Sequence, residues 1–147
     1  MLSRLIYHSE NISGGLEGKM MGDLNKIMDA SVRNNQRDGI TGALLFDPIW
    51  FVQILEGERE AISATLRRIM PDPRHDAVTV MDCAPIESRL FGNWWMGLAN
   101  MNVHSALLAR HGLGPRLDPR KMSGAVTLAL AVDVARAGLN RQVAAAA

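Results

Sequence analysis

Two apolar runs, Ile40 to Phe46 and Trp50 to Leu55, are separated only by Asp47-Pro48-Ile49, and so short a connection implies an antiparallel hairpin. What flanks the hairpin narrows the architecture further. Before it, Met20, Leu24, Ile27, Met28 and Ser31 recur at the spacing of one helix face, and Gly39 stands where a helix stops. After it, Glu58 to Met70 carries Ile62, Leu66 and Ile69 on one side and acids in its first turn, which suits the macrodipole; Pro71 and Pro73 end it. Leu2 to Tyr7, Ala77 to Cys83 and Asn93 to Leu98 read as strands. Asn11 to Gly18, rich in Gly and Ser, reads as a loop. The order is therefore β-α-β-β-α-β with one further strand, an α+β ferredoxin-like sheet with two helices on one face. Residues 1–100 make this core domain. Residues 101–147 make a C-terminal extension, broken by Pro115 and Pro119 and then helical from about Met122 to Ala137, a helical cap on the core. The four terminal alanines carry no pattern.

The chain's 147 residues suit one ordinary domain, and 48% hydrophobic against 21% charged residues supply a core. A formal charge of +1 gives no electrostatic footprint for nucleic acid. One cysteine, Cys83, excludes a disulfide framework and a multi-thiolate metal site, so no metal is expected. The longest apolar run, Ala125 to Val132, is too short to span a bilayer. Arg4 and His8 interrupt the N-terminal stretch, which is not a signal peptide. A cytoplasmic protein with no membrane partner is the expectation.

Three polar side chains fall on apolar surfaces. Gln53 shares a strand face with Phe51 and Leu55, while Trp50, Val52 and Ile54 occupy the other. A buried glutamine amide left unpaired costs about 1–3 kcal/mol, so it must find a partner. Asn35 extends the inward stripe of the first helix, and Tyr7, the single tyrosine, lies on the first strand. In this fold the first and third strands are the central pair, so Tyr7 and Gln53 can be neighbours with Asn35 above them. Two readings follow: a local hydrogen-bond network in an ordinary core, or a slot for a flat polar ligand with amide-like edges.

Several segments in order then resemble a known family. They are Leu5-Ile6-Tyr7-His8-Ser9, Asn34-Asn35 with Gly39-Ile40-Thr41-Gly42-Ala43-Leu44-Leu45, and Phe51-Val52-Gln53-Ile54-Leu55-Glu56-Gly57. Asp72-Pro73-Arg74-His75 and Phe91-Gly92-Asn93-Trp94-Trp95-Met96-Gly97 complete the set. Together they resemble the BLUF domain, a blue-light sensor using flavin, over residues 2 to about 98. The resemblance implies that Tyr7 donates an electron and a proton to the excited flavin, and that Gln53 bridges Tyr7 and the flavin N5/O4 edge. Asn35 matches the asparagine at the carbonyl edge, Asn34 its neighbour, and Ile27 a position packing on the ring. Arg74 and His75 match the loop beside the ribityl and phosphate portion, although Arg74 also fits a solvated cation at a helix end. Trp94 and Met96 match the fifth-strand pair that relays the change, with either one able to face the pocket. The chain departs from the family pattern at Pro48-Ile49, where a turn glycine is usual, at Trp95, and in the length of the loop through Gly14-Gly15.

The resemblance thus implies a photoreceptor holding oxidised flavin, FAD or FMN. Light would leave Gln53 rotated or tautomerised with a new hydrogen bond to the flavin carbonyl. No output enzyme is visible after residue 100, so the chain is expected to be a regulator acting on a separate partner protein, as a homodimer or higher oligomer. Val126, Leu130 and Val134 in the tail helix offer a stripe for a partner, a second subunit or the far sheet face. The competing readings are a non-photoactive ferredoxin-like interaction module, an RNA-binding module with exposed aromatics, and an acylphosphatase-like hydrolase using Arg4 and Asn35.

Overall fold

The hairpin between the two apolar runs closes without a glycine. Asp47, itself buried, accepts from the backbone N–H of Ile49 at 2.8 Å and of Trp50 at 2.7 Å. Its carboxylate supplies locally what a glycine turn would achieve by backbone freedom. The computed structural model describes residues 1–12, 17–139 and 141–145, with side chains in the first helix from residue 22 onward. The loop expected through Gly14-Gly15 and the side chain of Met20 lie outside the described residues.

In chain order the elements are β1 (Leu2–Asn11), α1 (Glu17–Asp38), β2 (Thr41–Phe46), β3 (Trp50–Glu58), α2 (Arg59–Ile69), β4 (His75–Pro85), β5 (Trp94–Asn100), α3 (Ser105–Arg110), α4 (Gly124–Ala137) and β6 (Arg141–Ala144). The sheet runs β4-β1-β3-β2-β5-β6, antiparallel throughout except for the parallel pair β2–β5. The β1-α1-β2 and β3-α2-β4 crossovers put α1 and α2 on the same face. There Leu24 and Met28 of α1 and Ile62 of α2 pack on Leu5, Tyr7, Phe51 and Leu55. Gly39, at φ +69°, lets the chain leave α1. Gly42 lets β2 approach β3, since a Cβ there would lie 1.9 Å from the carbonyl oxygen of Ile54.

The extension covers the other sheet face. Leu107 and Leu108 of α3 and Leu130, Ala131 and Val134 of α4 pack on Ile6, Val52, Ile54 and Trp50. Of the stripe expected in the tail helix, Leu130 and Val134 are buried and Val126 is half-buried, because Thr127 takes the inward position one residue on. The tail is also more than helical: β6 adds a sixth strand, its backbone groups satisfied by the free edge of β5. Arg141 anchors that strand to Asp29 of α1 at 2.6 Å. So short a strand has no signal of its own in the sequence.

β3 continues through Glu56 and Gly57, where the sequence reading has the strand closing. The reason is a buried charge. The Glu56 carboxylate, fully buried, pairs with Arg4 of β1 at 2.7 Å and accepts from the backbone N–H of Leu90 at 3.0 Å and Phe91 at 2.6 Å. One side chain therefore joins the central strands to the segment entering β5. Truncation would strand a half-buried guanidinium and two amides, and breaking such a pair costs about 3–5 kcal/mol. Glu56→Ala should lower unfolding free energy by about that much in a denaturant titration, whereas the exposed Glu60→Ala should stay within about 0.5 kcal/mol of the parent.

Candidate functional site

The register of β1 against β3 puts Tyr7 directly opposite Gln53. Both point to the helical face and both are buried. The Tyr7 hydroxyl donates to Gln53 Oε1 in a very short contact. Burial pushes the phenol well above its ordinary value, with the negative charge of Asp72 adding to the effect, so the proton stays on Tyr7 at neutral pH. The Gln53 amide nitrogen faces Met96 Sδ of β5 at 3.8 Å. Asn35 of α1 donates from Nδ2 to the carbonyl of Trp95, the preceding residue of β5, at 2.7 Å. Two buried amides thus converge on adjacent residues of one strand.

Above this pair, α1 and α2 stand apart and leave a cavity of about 120 Å3. A single water needs roughly 10–15 Å3, so this is no packing flaw. Ile27, Ser31, Asn34 and Asn35 line it from α1, Thr65, Arg68 and Ile69 from α2, and Tyr7, Leu44, Phe51 and Gln53 from the sheet. Asp72, Arg74 and His75 line it from the loop after α2 and the start of β4. Polar amides lie deep, apolar groups form the walls, and charges stand at one end. That donor set fits a flat amphipathic group with hydrogen-bonding edges and a charged tail.

The cavity brings together Tyr7, Ile27, Asn34, Asn35, Gln53, Arg74 and His75. His75 is fixed on both sides. Its Nε2 lies 2.6 Å from the carbonyl of Ile69, which can only accept, so Nε2 carries the proton; Nδ1 then accepts from the buried Ser9 hydroxyl at 2.8 Å. The ring meets Tyr7 and Phe51 edge-on at 6.5 and 6.3 Å. Arg74 forms a two-point pair with Asp72, at 2.6 and 2.9 Å, and holds that carboxyl below its usual range. Trp94 and Met96 separate. The ladder to β6 slips between them, so Met96 joins the helical-face core while Trp94 packs against the opposite one.

The family model described as sensors of blue-light using FAD matches residues 2–97. The chain belongs to the BLUF family. It is 31% identical over 104 residues to the blue light- and temperature-regulated antirepressor BluF of Escherichia coli (strain K12), covering 71% of this chain and 25% of that protein. It is 41% identical over 73 residues to the photoactivated adenylate cyclase subunit beta of Euglena gracilis, half of this chain but 8% of that one. The chain therefore spans a small part of these relatives. Among solved structures, the dark state of the BLUF protein BlrB superposes with a TM-score of 0.74 at 31% identity, over 92% of this chain and 96% of that one. The photo-activated state of BlsA shares the fold, with a TM-score of 0.85 at 22% identity over 96% of this chain and 99% of that one.

In this BLUF chain the residues named for the competing chemistries are otherwise engaged. Arg4 is committed to Glu56, and Trp50 and Phe51 are buried on opposite faces. Among the described residues no cluster of three or more metal-ligating side chains occurs, and no helix is long and apolar enough to cross a membrane. Reading the sequence for function passes over Thr65 and Arg68, which follow at i and i+3 on the face of α2 bordering the cavity, and gives no role to Asp72 in the loop that follows. It also passes over Ser9, whose role depends on a strand pairing. Because Tyr7 is the single tyrosine, its ionisation can be followed without overlap. The unfolded chain releases the phenolic proton near pH 10, while the folded chain holds it. Stability is unaffected by this group below that pH and falls as pH rises above it. Tyrosinate absorbance should therefore appear with loss of circular dichroism; a native titration centred near 10 would contradict the buried phenol.

Proposed function

We propose that this chain is a blue-light sensor that binds FAD in the cavity between α1 and α2, with Tyr7 and Gln53 as the photoactive pair. Residues 1–100 would be the sensor and residues 101–147 the extension that carries the output. The observation that carries this reading is the Tyr7–Gln53 contact at the floor of a cavity, in a chain with one phenol. Asn34 and Asn35 would meet the polar edge of the ring and Ile27 its face. Arg74 and His75, with Arg68 beside them, would face the ribityl and phosphate end, where an anion would share guanidinium groups that already pair with Asp72 and Asp38. FAD is preferred to FMN because the family description names it.

When bound, the flavin supplies the absorption of blue light and the electron-accepting ring. The residues supply the rest. Tyr7 is the electron donor within the cavity, and a phenol that has lost an electron is a strong acid. Its proton has Gln53 Oε1 in hydrogen-bond contact, so electron and proton leave Tyr7 on different paths. Once electron and proton have both returned to Tyr7, the Gln53 amide can settle in its other orientation. Nε2 would then face Tyr7, making the phenol oxygen an acceptor, and Oε1 would face Met96, whose thioether has no proton to donate. Exchanging one such hydrogen bond is worth about 1 kcal/mol, roughly a fivefold shift in a two-state equilibrium. That biases β5 without unfolding it. Met96 would carry the change on the cavity side and Trp94 on the side facing the extension. We further propose that the chain is cytoplasmic, forms a homodimer or higher oligomer, and acts on a separate protein.

The test is the absorption spectrum of purified, flavin-loaded protein before and after blue illumination, with the released cofactor identified by chromatography. A red shift that decays in the dark is expected, with FAD released on denaturation. Tyr7→Phe and Gln53→Leu should each stay yellow and lose the shift. A complete photocycle in Tyr7→Phe would sink the reading.

A further inference from the structure

Behind the photoactive pair, on the opposite face of the sheet, lies a second cluster that the reading above leaves unused. His8 follows Tyr7 in β1 and points away from the cavity. It is nine-tenths buried, and its Nδ1 is the one buried side-chain nitrogen or oxygen among the described residues with no hydrogen-bond partner. Ring packing positions it: His8 meets Trp50 of β3 edge-on, at 5.7 Å and 89°. Trp50 in turn carries the Arg120 guanidinium over its ring at 5.1 Å. Arg120 belongs to the short 3-10 turn Pro119–Lys121 of the extension and is held by Asp118 at 3.0 and 3.1 Å. Three residues on, Ser123 caps α4 by accepting from the backbone N–H of Val126 at 3.1 Å.

The β1–β4 ladder is irregular at this place. Its register shifts between Ile6 and Tyr7 and again between His8 and Glu10, so the Tyr7-His8 dipeptide is bracketed by two irregularities. On that side it is held only by the pairings to Val80 and Thr79. Tyr7 and His8 are consecutive in β1 with side chains on opposite faces, so a displacement of the Tyr7 backbone bears directly on the His8 ring behind the sheet. Leu117 and Met122, buried in the far-face core, keep the 3-10 turn against the sheet whether or not Arg120 is in place.

We infer that His8, Trp50 and Arg120 form a transmission line through the sheet, by which a change at Tyr7–Gln53 reaches the Pro119–Lys121 turn and the start of α4. The inference rests on the photosensor reading and adds to it a route separate from Met96 and Trp94 on β5. His8 and Arg120 act as positioning residues: neither lines the cavity.

The test compares amide hydrogen exchange across residues 117–137 in the dark and under blue light, in the full flavin-loaded chain. Wild type should show a light-minus-dark change of several-fold in this segment. Arg120→Gln and His8→Ala should keep the spectral red shift and lose more than half of that exchange difference. Arg120→Lys, which retains a cation over Trp50, should restore it. The exposed side chain of Arg120 makes its variants safe for folding, so they decide the matter if His8→Ala fails to fold. An undiminished exchange difference in Arg120→Gln overturns the inference, as does a wild type that red-shifts with no change in the segment. A wild type without any red shift overturns the photosensor reading instead, and this inference with it.

Discussion

The antiparallel pairing of β1 with β3 is the constraint on which the rest of the molecule depends. It runs without interruption over nine residue pairs, from Leu2 opposite Glu58 to Glu10 opposite Trp50. Because strand side chains alternate, a slip of one residue would turn every one of them to the wrong face. That register sets Tyr7 against Gln53 and Arg4 against Glu56 in a single stroke. The first pair makes the floor of the cavity, and the second ties the sheet centre to the segment that leads into β5. Both contain polar groups that would be costly to bury alone, so each makes the register specific as well as being created by it.

Burial on two sides gives the pair its chemical character. The helices cover one face of β1 and β3, and the extension covers the other, which leaves Tyr7 in surroundings where a phenolate is disfavoured. Arg68 at the end of α2 and Asp72, Arg74 and His75 just after it gather on one side of the cavity. Charge is thus kept to that side and amides to the floor, an arrangement that orients an amphipathic ligand by its two ends. β5 receives both amides: Gln53 touches Met96 and Asn35 touches the Trp95 carbonyl. The bulge between Trp94 and Met96 then divides that strand between the two cores.

Much of this was legible in the residues. The apolar runs of β2 and β3, the helical stripe of Leu24, Ile27 and Met28, and the short Asp47-Pro48-Ile49 connection led to the element order. The isolated polar positions Tyr7, Asn35 and Gln53 stood out because polar groups on apolar faces need partners. Less legible were contacts between residues far apart in the chain. Nothing local to Glu56 announces that the backbone of Leu90 and Phe91 will close on it. Ser9 gives no hint that it will hold His75, and the bulge that parts Trp94 from Met96 breaks the alternation by which strand faces are read. β6 is short and weakly patterned, and its existence depends on an edge of β5 needing partners.

The sequence by itself determined the alternation of strands and helices, the faces on which apolar groups fall, and the presence of a single phenol, Tyr7. Those properties are local, set by side-chain periodicity and by composition. Only the tertiary structure decided that the phenol meets the Gln53 oxygen, that Arg74 is joined to Asp72, that Met96 rather than Trp94 lies on the cavity side, and that Arg120 rests on Trp50 behind the pair. Each of these is a contact across many residues of chain, where packing and the need to satisfy buried polar groups choose among geometries that local preference leaves equal.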